Sequence, residues 1–134
     1  MRALALRWVK FNFVGALGFA VQMGAFALYY GALDADKLWA TGLAVETAVL
    51  HNFAWHERFT WRHLPSRGPL DRLLRLLRFH LGNGLVSIAG NVLLVKLFSG
   101  RLGINPYLGN ILAIAICAVA NFALGEWFVF RRRP

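Results

Sequence analysis

Two copies of one motif, NFAWHERFTWR at residues 52–62 and NFALGEWFVFR at residues 121–131, decide the fold of this chain. The copies lie 69 residues apart and share Asn, Phe, Ala, Glu, Phe and Arg at six of eleven positions. Self-similarity at a fixed period predicts two copies of one structural unit. Further pairs, at offsets of 69 and 68 respectively, are Asp36 with Asn105 and Lys10-Phe11 with Arg78-Phe79.

Apolar residues are concentrated in long stretches around these motifs. The chain has 134 residues, of which 58% are hydrophobic, and its net charge is +9. An α-helix needs roughly 20 apolar residues to cross a hydrocarbon core of about 30 Å. Four stretches are long enough, so the sequence predicts an all-α integral membrane protein with four transmembrane helices and excludes most soluble nucleic-acid binders. The predicted spans are residues 11–31, 38–56, 79–99 and 106–128.

The basic residues predict how the chain is oriented. Twelve of the 15 Lys and Arg residues lie in the N-terminal segment, the 57–78 loop and the C-terminus, whereas the opposite side has Lys37, Lys96 and Arg101. Lys and Arg are enriched in cytoplasmic loops, so both termini are predicted to be cytoplasmic. Since each repeat contains an even number of spans, the two repeats are predicted to be parallel.

The segment before the third span is basic and amphipathic. Arg72, Arg75 and Arg78 lie on one face of a predicted helix at residues 70–78. A helix of this kind beside a span favours binding to the anionic membrane surface, and the alternative is docking of a partner enzyme. No nucleic-acid partner is expected, because these arginines alternate with leucines. The predicted organisation is a single membrane domain at 1–134, with repeat one at 9–62, a cytoplasmic loop with an amphipathic helix at 63–78, and repeat two at 78–131.

Small residues recur at every fourth position in the second and fourth spans, and each stripe ends in an asparagine. Spacing of four places such residues on one helix face, where they permit close helix–helix approach in lipid. The asparagines are predicted to hydrogen-bond between helices. The stripes are Ala40, Ala44, Ala48 and Asn52 in the first repeat and Gly109, Ala113, Cys117 and Asn121 in the second.

Polar residues found in only one repeat are not required by the common fold. Glu46 and His51 are of this kind, because Ala115 and Ala120 occupy the matching positions. Glu46 is about ten residues from the predicted helix start, hence roughly 15 Å deep. An ionisable group at the bilayer midplane favours a substrate or proton-coupling site. The alternative is a carboxyl group that fixes helix packing.

Cations are expected to gather at the cytoplasmic ends of the spans. Lys10 and Arg78 begin the first and third spans, and Arg58, Arg62 and Arg131 follow the second and fourth. Basic side chains beside the positive ends of two helices are suited to hold a lipid phosphate. The alternative is that they only determine the topology. Neither a motif for covalent catalysis nor metal-ligand spacing is found, so no enzymatic activity, cofactor or metal site is expected.

These motifs resemble the GtrA-like family. The resemblance covers nearly the whole chain and rests on Phe11-x-x-Val14-Gly15, on Arg78-Phe79, and on hairpins that end in Asn-Phe-x5-aromatic-x-aromatic-Arg. It implies a four-span protein of the bacterial cytoplasmic (inner) membrane that translocates polyprenyl-phosphate-linked sugars for cell-surface polysaccharide synthesis. It also implies a membrane glycosyltransferase as partner.

Three functional hypotheses follow. The first is translocation of a polyprenyl-phosphate sugar by a homo-oligomer, with contacts through the small-residue stripes or through Ala16, Ala20 and Gly24. The second is a scaffold for a glycosyltransferase, and the third is a small multidrug-type exporter, which the uneven charge distribution disfavours. Phospholipids are expected as further partners. The predicted substrate-binding residues are Glu46, His51, Gln22, Asn52, Asn121, Lys10, Arg58, Arg62, Arg78 and Arg131.

Overall fold

The computed structural model describes residues 1–131, and every regular element within that range is helical. Helix α1 is Arg2–Ala32, and α3 is Pro69–Arg101. Helix α2 is Lys37–Trp55 with a wider last turn at His56–Thr60. Helix α4 is Pro106–Leu124 with a wider last turn at Gly125–Val129.

The chain divides into two compact units. Unit 1 is Met1–Pro65 and contains α1 and α2, and unit 2 is Ser66–Pro134 and contains α3 and α4. Each unit is an antiparallel helical hairpin. We call the end where its first helix starts and its second helix stops the base, and the end with the connecting loop the tip. Each unit is thus formed by two helices.

The helices have the length and hydropathy of membrane spans. Three of the described helices, Arg2–Ala32, Pro69–Arg101 and Ile111–Val129, are long and apolar enough to cross a membrane, with mean hydropathies of 1.6, 1.5 and 1.9. Helix α2, with 19 residues in Lys37–Trp55, is the fourth helix and is not among these three. Most large apolar side chains on these helices point outward, including Phe19, which is 67% exposed. The protein is a multi-pass membrane protein whose outer surface suits lipid.

Helices α1 and α3 extend beyond the predicted spans at their N-terminal ends. Helix α1 starts at Arg2 and α3 starts at Pro69, so residues 70–78 are the first part of α3 and not a separate surface helix. The reason is that hydropathy marks only the part of a helix that lies in lipid. Residues 2–10 are rich in Ala, Leu and Arg, and residues 70–78 are rich in Leu and Arg. These residue types are strong helix formers, so the helix continues through both segments.

The backbone hydrogen bonds repeat with the sequence. Wide turns closed by i→i+5 bonds occur at the tips, from Leu33 N to Leu28 O and from Leu102 N to Leu97 O, at 3.0 Å in both units. These bonds are 69 residues apart, whereas Lys10 and Arg78 at the bases are 68 apart. The extra residue of α3 is accommodated in a wide turn at Val86–Gly90, which has no counterpart within Arg2–Phe26. A turn closed by an i→i+5 bond holds one residue more than an α-helical turn.

The small-residue stripes form the helix–helix interface inside each unit. Ala40 and Ala44 are 0% and 1% exposed in unit 1, and Ala113 and Cys117 are 0% and 4% exposed in unit 2. Their small size lets the helices approach closely. Ala16, Ala20 and Gly24 of α1 are exposed and lie outside this interface.

Candidate functional site

A cation from the first helix lies over an aromatic ring from the second at the base of unit 1. The Lys10 ammonium is 4.6 Å from the centroid of the Phe59 ring. Lys10 Nζ also donates to the Phe59 carbonyl oxygen at 3.4 Å. Arg58 and Arg62, on the last turn of α2 and just after it, are exposed. This base therefore combines one half-buried cation with two solvent-accessible ones.

The base of unit 2 has the equivalent pair. The Arg78 guanidinium carbon is 5.9 Å from the centroid of the Phe128 ring, and Arg131 is exposed. Arg78 and Phe128 are the repeat counterparts of Lys10 and Phe59. A cation over an aromatic face is attracted by the ring quadrupole. The two units thus hold a cation at matching positions, on different residue types.

Arg75 differs from its predicted place on the membrane surface. It is only 7% exposed, and its Nε is 3.2 Å from Asp71 Oδ2. Its guanidinium carbon is 5.9 Å from the centroid of the Phe130 ring. Helix α3 begins at Pro69, so Arg75 lies on the helix face that packs against the end of α4. A buried guanidinium needs a carboxylate, which Asp71 supplies one turn earlier.

His56 fills the base of unit 1 and was not predicted from the sequence as a site residue. Its ring stacks on Phe11, with centroids 4.8 Å apart and planes at 12°, and meets the edge of Trp61 at 5.3 Å. Its Nδ1 is 3.0 Å from Thr60 Oγ1. The residue at this position in unit 2 is Gly125. The sequence did contain a signal for His56, because the two copies of the motif differ at this position, with His in one and Gly in the other.

The two asparagines at the ends of the stripes are placed differently. Asn121 Nδ2 donates to Ser87 Oγ at 3.3 Å, which is a hydrogen bond between α4 and α3. Asn52 lies against Gly18 of α1, so closely that a Cβ on Gly18 would overlap its amide. Asn52 Oδ1 is 3.2 Å from Nδ1 of the adjacent His51.

The remaining predicted residues lie along the middle of unit 1. Glu46 is on the exposed side of α2, while Ala44 and Ala48 on either side of it are buried. Gln22 is half-buried on α1. Within residues 1–131 no cluster of three His, Cys, Asp or Glu side chains suits a metal ion.

The chain is similar to a family of transmembrane domains. The family model of the GtrA/DPMS transmembrane domain matches residues 10–130. A dolichol-phosphate mannosyltransferase of Pyrococcus furiosus is 32% identical over 122 residues, which are 90% of this chain and 32% of that protein. The chain therefore spans about a third of the length of this relative. The family match confirms the resemblance that the motifs indicated.

Proposed function

Since the chain belongs to the GtrA/DPMS transmembrane-domain family, we propose that it translocates a polyprenyl-phosphate-linked sugar across the bacterial cytoplasmic membrane. The step is physical movement of the lipid, and no covalent bond changes. The name of the P. furiosus relative joins a dolichol phosphate with mannosyl transfer, which supports a lipid-linked sugar as the substrate class.

One observation carries the proposal: a cation lies over an aromatic ring at the base of each unit. A polyprenyl-phosphate lipid has an anionic head and a long apolar chain, so its binding site needs cations at the end of an apolar surface. Lys10 Nζ has three donors, one of which is directed at the Phe59 carbonyl oxygen. Phosphate oxygens are suited to the others, with Arg58 and Arg62 as additional donors.

Glu46 is proposed to act in the passage of the sugar or in proton coupling. It is exposed near the middle of α2, at a depth where an ionisable side chain is costly in lipid. Gln22 and His51 are the other polar groups proposed for this path. On α2 and α1, Thr47 Oγ1 and Tyr29 Oη lie 3.1 Å apart and mark a polar contact at similar depth.

The test is reconstitution in vesicles that contain a fluorescent polyprenyl-phosphate sugar. Transbilayer movement is measured as the fraction of the label that becomes accessible to an impermeant quencher. We expect Arg58→Gln and Arg62→Gln each to slow movement by about tenfold or more, since a charge-assisted hydrogen bond contributes roughly 1.5–3 kcal/mol. Arg2→Gln, an exposed charge away from this group, is the control. The proposal fails if the wild-type protein moves no lipid.

Glu46→Gln tests the assigned path separately. It removes the titratable group and keeps the shape, so movement is expected to fall and to lose its dependence on a pH gradient. Movement equal to that of the wild-type protein would leave translocation standing and remove Glu46 from it.

A scaffold for a glycosyltransferase is the second candidate. It is favoured by the length of the P. furiosus relative, of which the matching part is 32%. Co-purification of a membrane glycosyltransferase, together with full sugar transfer by a Glu46→Ala strain and no lipid movement in vesicles, would establish it in place of translocation.

Cytoplasmic termini and a homo-oligomer are part of the proposal. Labelling of single cysteines placed at position 2 and in the 33–36 loop, in a Cys117→Ser background, tests the orientation in right-side-out vesicles. Cross-linking through Ala20→Cys on the exposed α1 stripe tests the oligomer. Labelling of position 2 from outside, or monomers alone in lipid, would contradict these two points.

A further inference from the structure

A groove of about 350 Å³ lies at the tip of unit 2, at the opposite end of α3 from Arg78. It is lined by Leu93, Lys96, Leu97 and Arg101. From Arg78 to Lys96 the helix rises roughly 27 Å at 1.5 Å per residue, which is close to the hydrocarbon thickness of about 30 Å. The groove and Arg78 therefore lie at opposite interfaces of the membrane.

The wide turn Lys96–Arg101 brings the two cations to one face. In a regular α-helix, residues five apart point in clearly different directions. The tip of α3 is closed by the i→i+5 bond from Leu102 N to Leu97 O, and such a turn holds one residue more. Residues five apart then point in more similar directions than they do in a regular α-helix. Both side chains are exposed and line one groove.

The repeat does not require these cations. The bonds Leu33 N to Leu28 O and Leu102 N to Leu97 O align the tips at an offset of 69. At that offset Lys96 and Arg101 match Ala27 and Ala32 of unit 1. The same turn is thus built without either charge. Cations are also disfavoured on the predicted outer side, which has only three of the 15 in the chain.

The groove has the chemistry of a lipid phosphate site. Leu93 and Leu97 are 66% and 40% exposed and present an apolar surface beside the two cations. Helix α4 begins at this tip, so its positive end adds to the field, and Asn105 Oδ1 accepts from Leu108 N there at 3.5 Å. An anion with a long apolar chain satisfies both parts of the lining.

We infer that Lys96 and Arg101 bind the phosphate of the polyprenyl-phosphate lipid at the far side of the membrane, while Leu93 and Leu97 contact its chain. This rests on the proposed function and adds a second phosphate site to it. A translocated head group then has a cationic site at each interface.

The test measures binding apart from movement. Native mass spectrometry of the protein in neutral detergent, titrated with a C55 polyprenyl monophosphate, resolves how many lipids are bound to each chain. We expect Lys96→Gln and Arg101→Gln each to weaken one binding event about tenfold, for the loss of a charge-assisted contact. Lys37→Gln, which removes a charge from the same predicted side, is expected to leave it unchanged. Thermal unfolding of each variant checks the fold.

Each of four results would contradict the phosphate site, its ligand or the proposed translocation. Equal affinity of the Lys96→Gln, Arg101→Gln and wild-type proteins overturns the site. Displacement of the lipid by phosphatidylglycerol or by inorganic phosphate at equal concentration overturns its assignment to a polyprenyl phosphate. Wild-type vesicles that move lipid while the variants bind it normally refute this inference alone. If the lipid binds and Lys96→Gln weakens that binding, but the protein moves no lipid, only the proposed function is refuted.

Discussion

Replacing Gly18 by Ala is expected to destabilise unit 1, because the added methyl group has no room. A Cβ at Gly18 would overlap the side-chain amide of Asn52. Asn52 is half-buried, and its Oδ1 lies 3.2 Å from His51 Nδ1, so a shift of the amide disturbs that contact too. Overpacking by one methyl group in such a place costs typically about 1–3 kcal/mol.

Gly15→Ala supplies the matched control on the same helix. A Cβ there meets nothing within 4 Å. Both changes replace Gly by Ala inside α1, and both gain up to about 1 kcal/mol of helix propensity. The difference in unfolding free energy between the two variants therefore isolates the overlap with Asn52. We expect Gly18→Ala to be less stable than Gly15→Ala by about 1–3 kcal/mol.

The assay is unfolding in mixed detergent micelles, with increasing SDS and far-UV circular dichroism as the readout. The double variant Gly18→Ala/Asn52→Ala extends it, since removal of the amide is expected to restore the stability lost by overlap. A coupling energy of about 1 kcal/mol or more between the two sites would agree with contact. Equal stability of Gly18→Ala and Gly15→Ala would refute the close approach of α1 and α2 at this point.

Two further predictions concern unit 2. Gly90→Ala places a Cβ 3.0 Å from Cys117 Sγ, whereas the Cβ added by Gly84→Ala meets nothing within 4 Å. Only Gly90→Ala should therefore accelerate maleimide labelling of Cys117. Equal labelling rates in the two variants would contradict this packing. Asp71→Asn removes the carboxylate beside Arg75, which is 7% exposed. The unfolding free energy should fall by about 1–3 kcal/mol. Adding Arg75→Met to this variant should restore part of the lost stability, because the unpaired buried charge is then gone. An Asp71→Asn variant as stable as wild type would show that the carboxylate does not compensate the guanidinium.

The helices and their repetition were predictable because they depend on residue order alone. Apolar runs indicated four long helices, and the Asn-Phe motifs indicated the two-unit repeat. The hydrogen bonds at Leu33 and Leu102 show that the repeat extends to the backbone. The buried stripes around Ala44 and Ala113 were predictable as well, since a spacing of four places residues on one helix face.

The side chains that are buried at the base of each unit were not predictable in the same way. His56 fills unit 1 where unit 2 has Gly125, and Arg75 is buried in unit 2 with Asp71. Whether a side chain is buried depends on what the neighbouring helix places opposite it. The sequence placed Arg75 on the membrane surface, because its own segment is amphipathic and the end of α4 is far away along the chain.

The sequence by itself determined the number of helices, the two-unit repeat and the positions of Lys10 and Arg78, since hydropathy, internal identity and charge are properties of linear order. Only the tertiary structure decided that Lys10 and Phe59 meet, and that Asn52 closes on Gly18. It also decided that an extra residue is held at Val86–Gly90 and that Lys96 and Arg101 share one groove. The physical reason is that these features depend on how many residues each turn holds and on which face of one helix meets its neighbour.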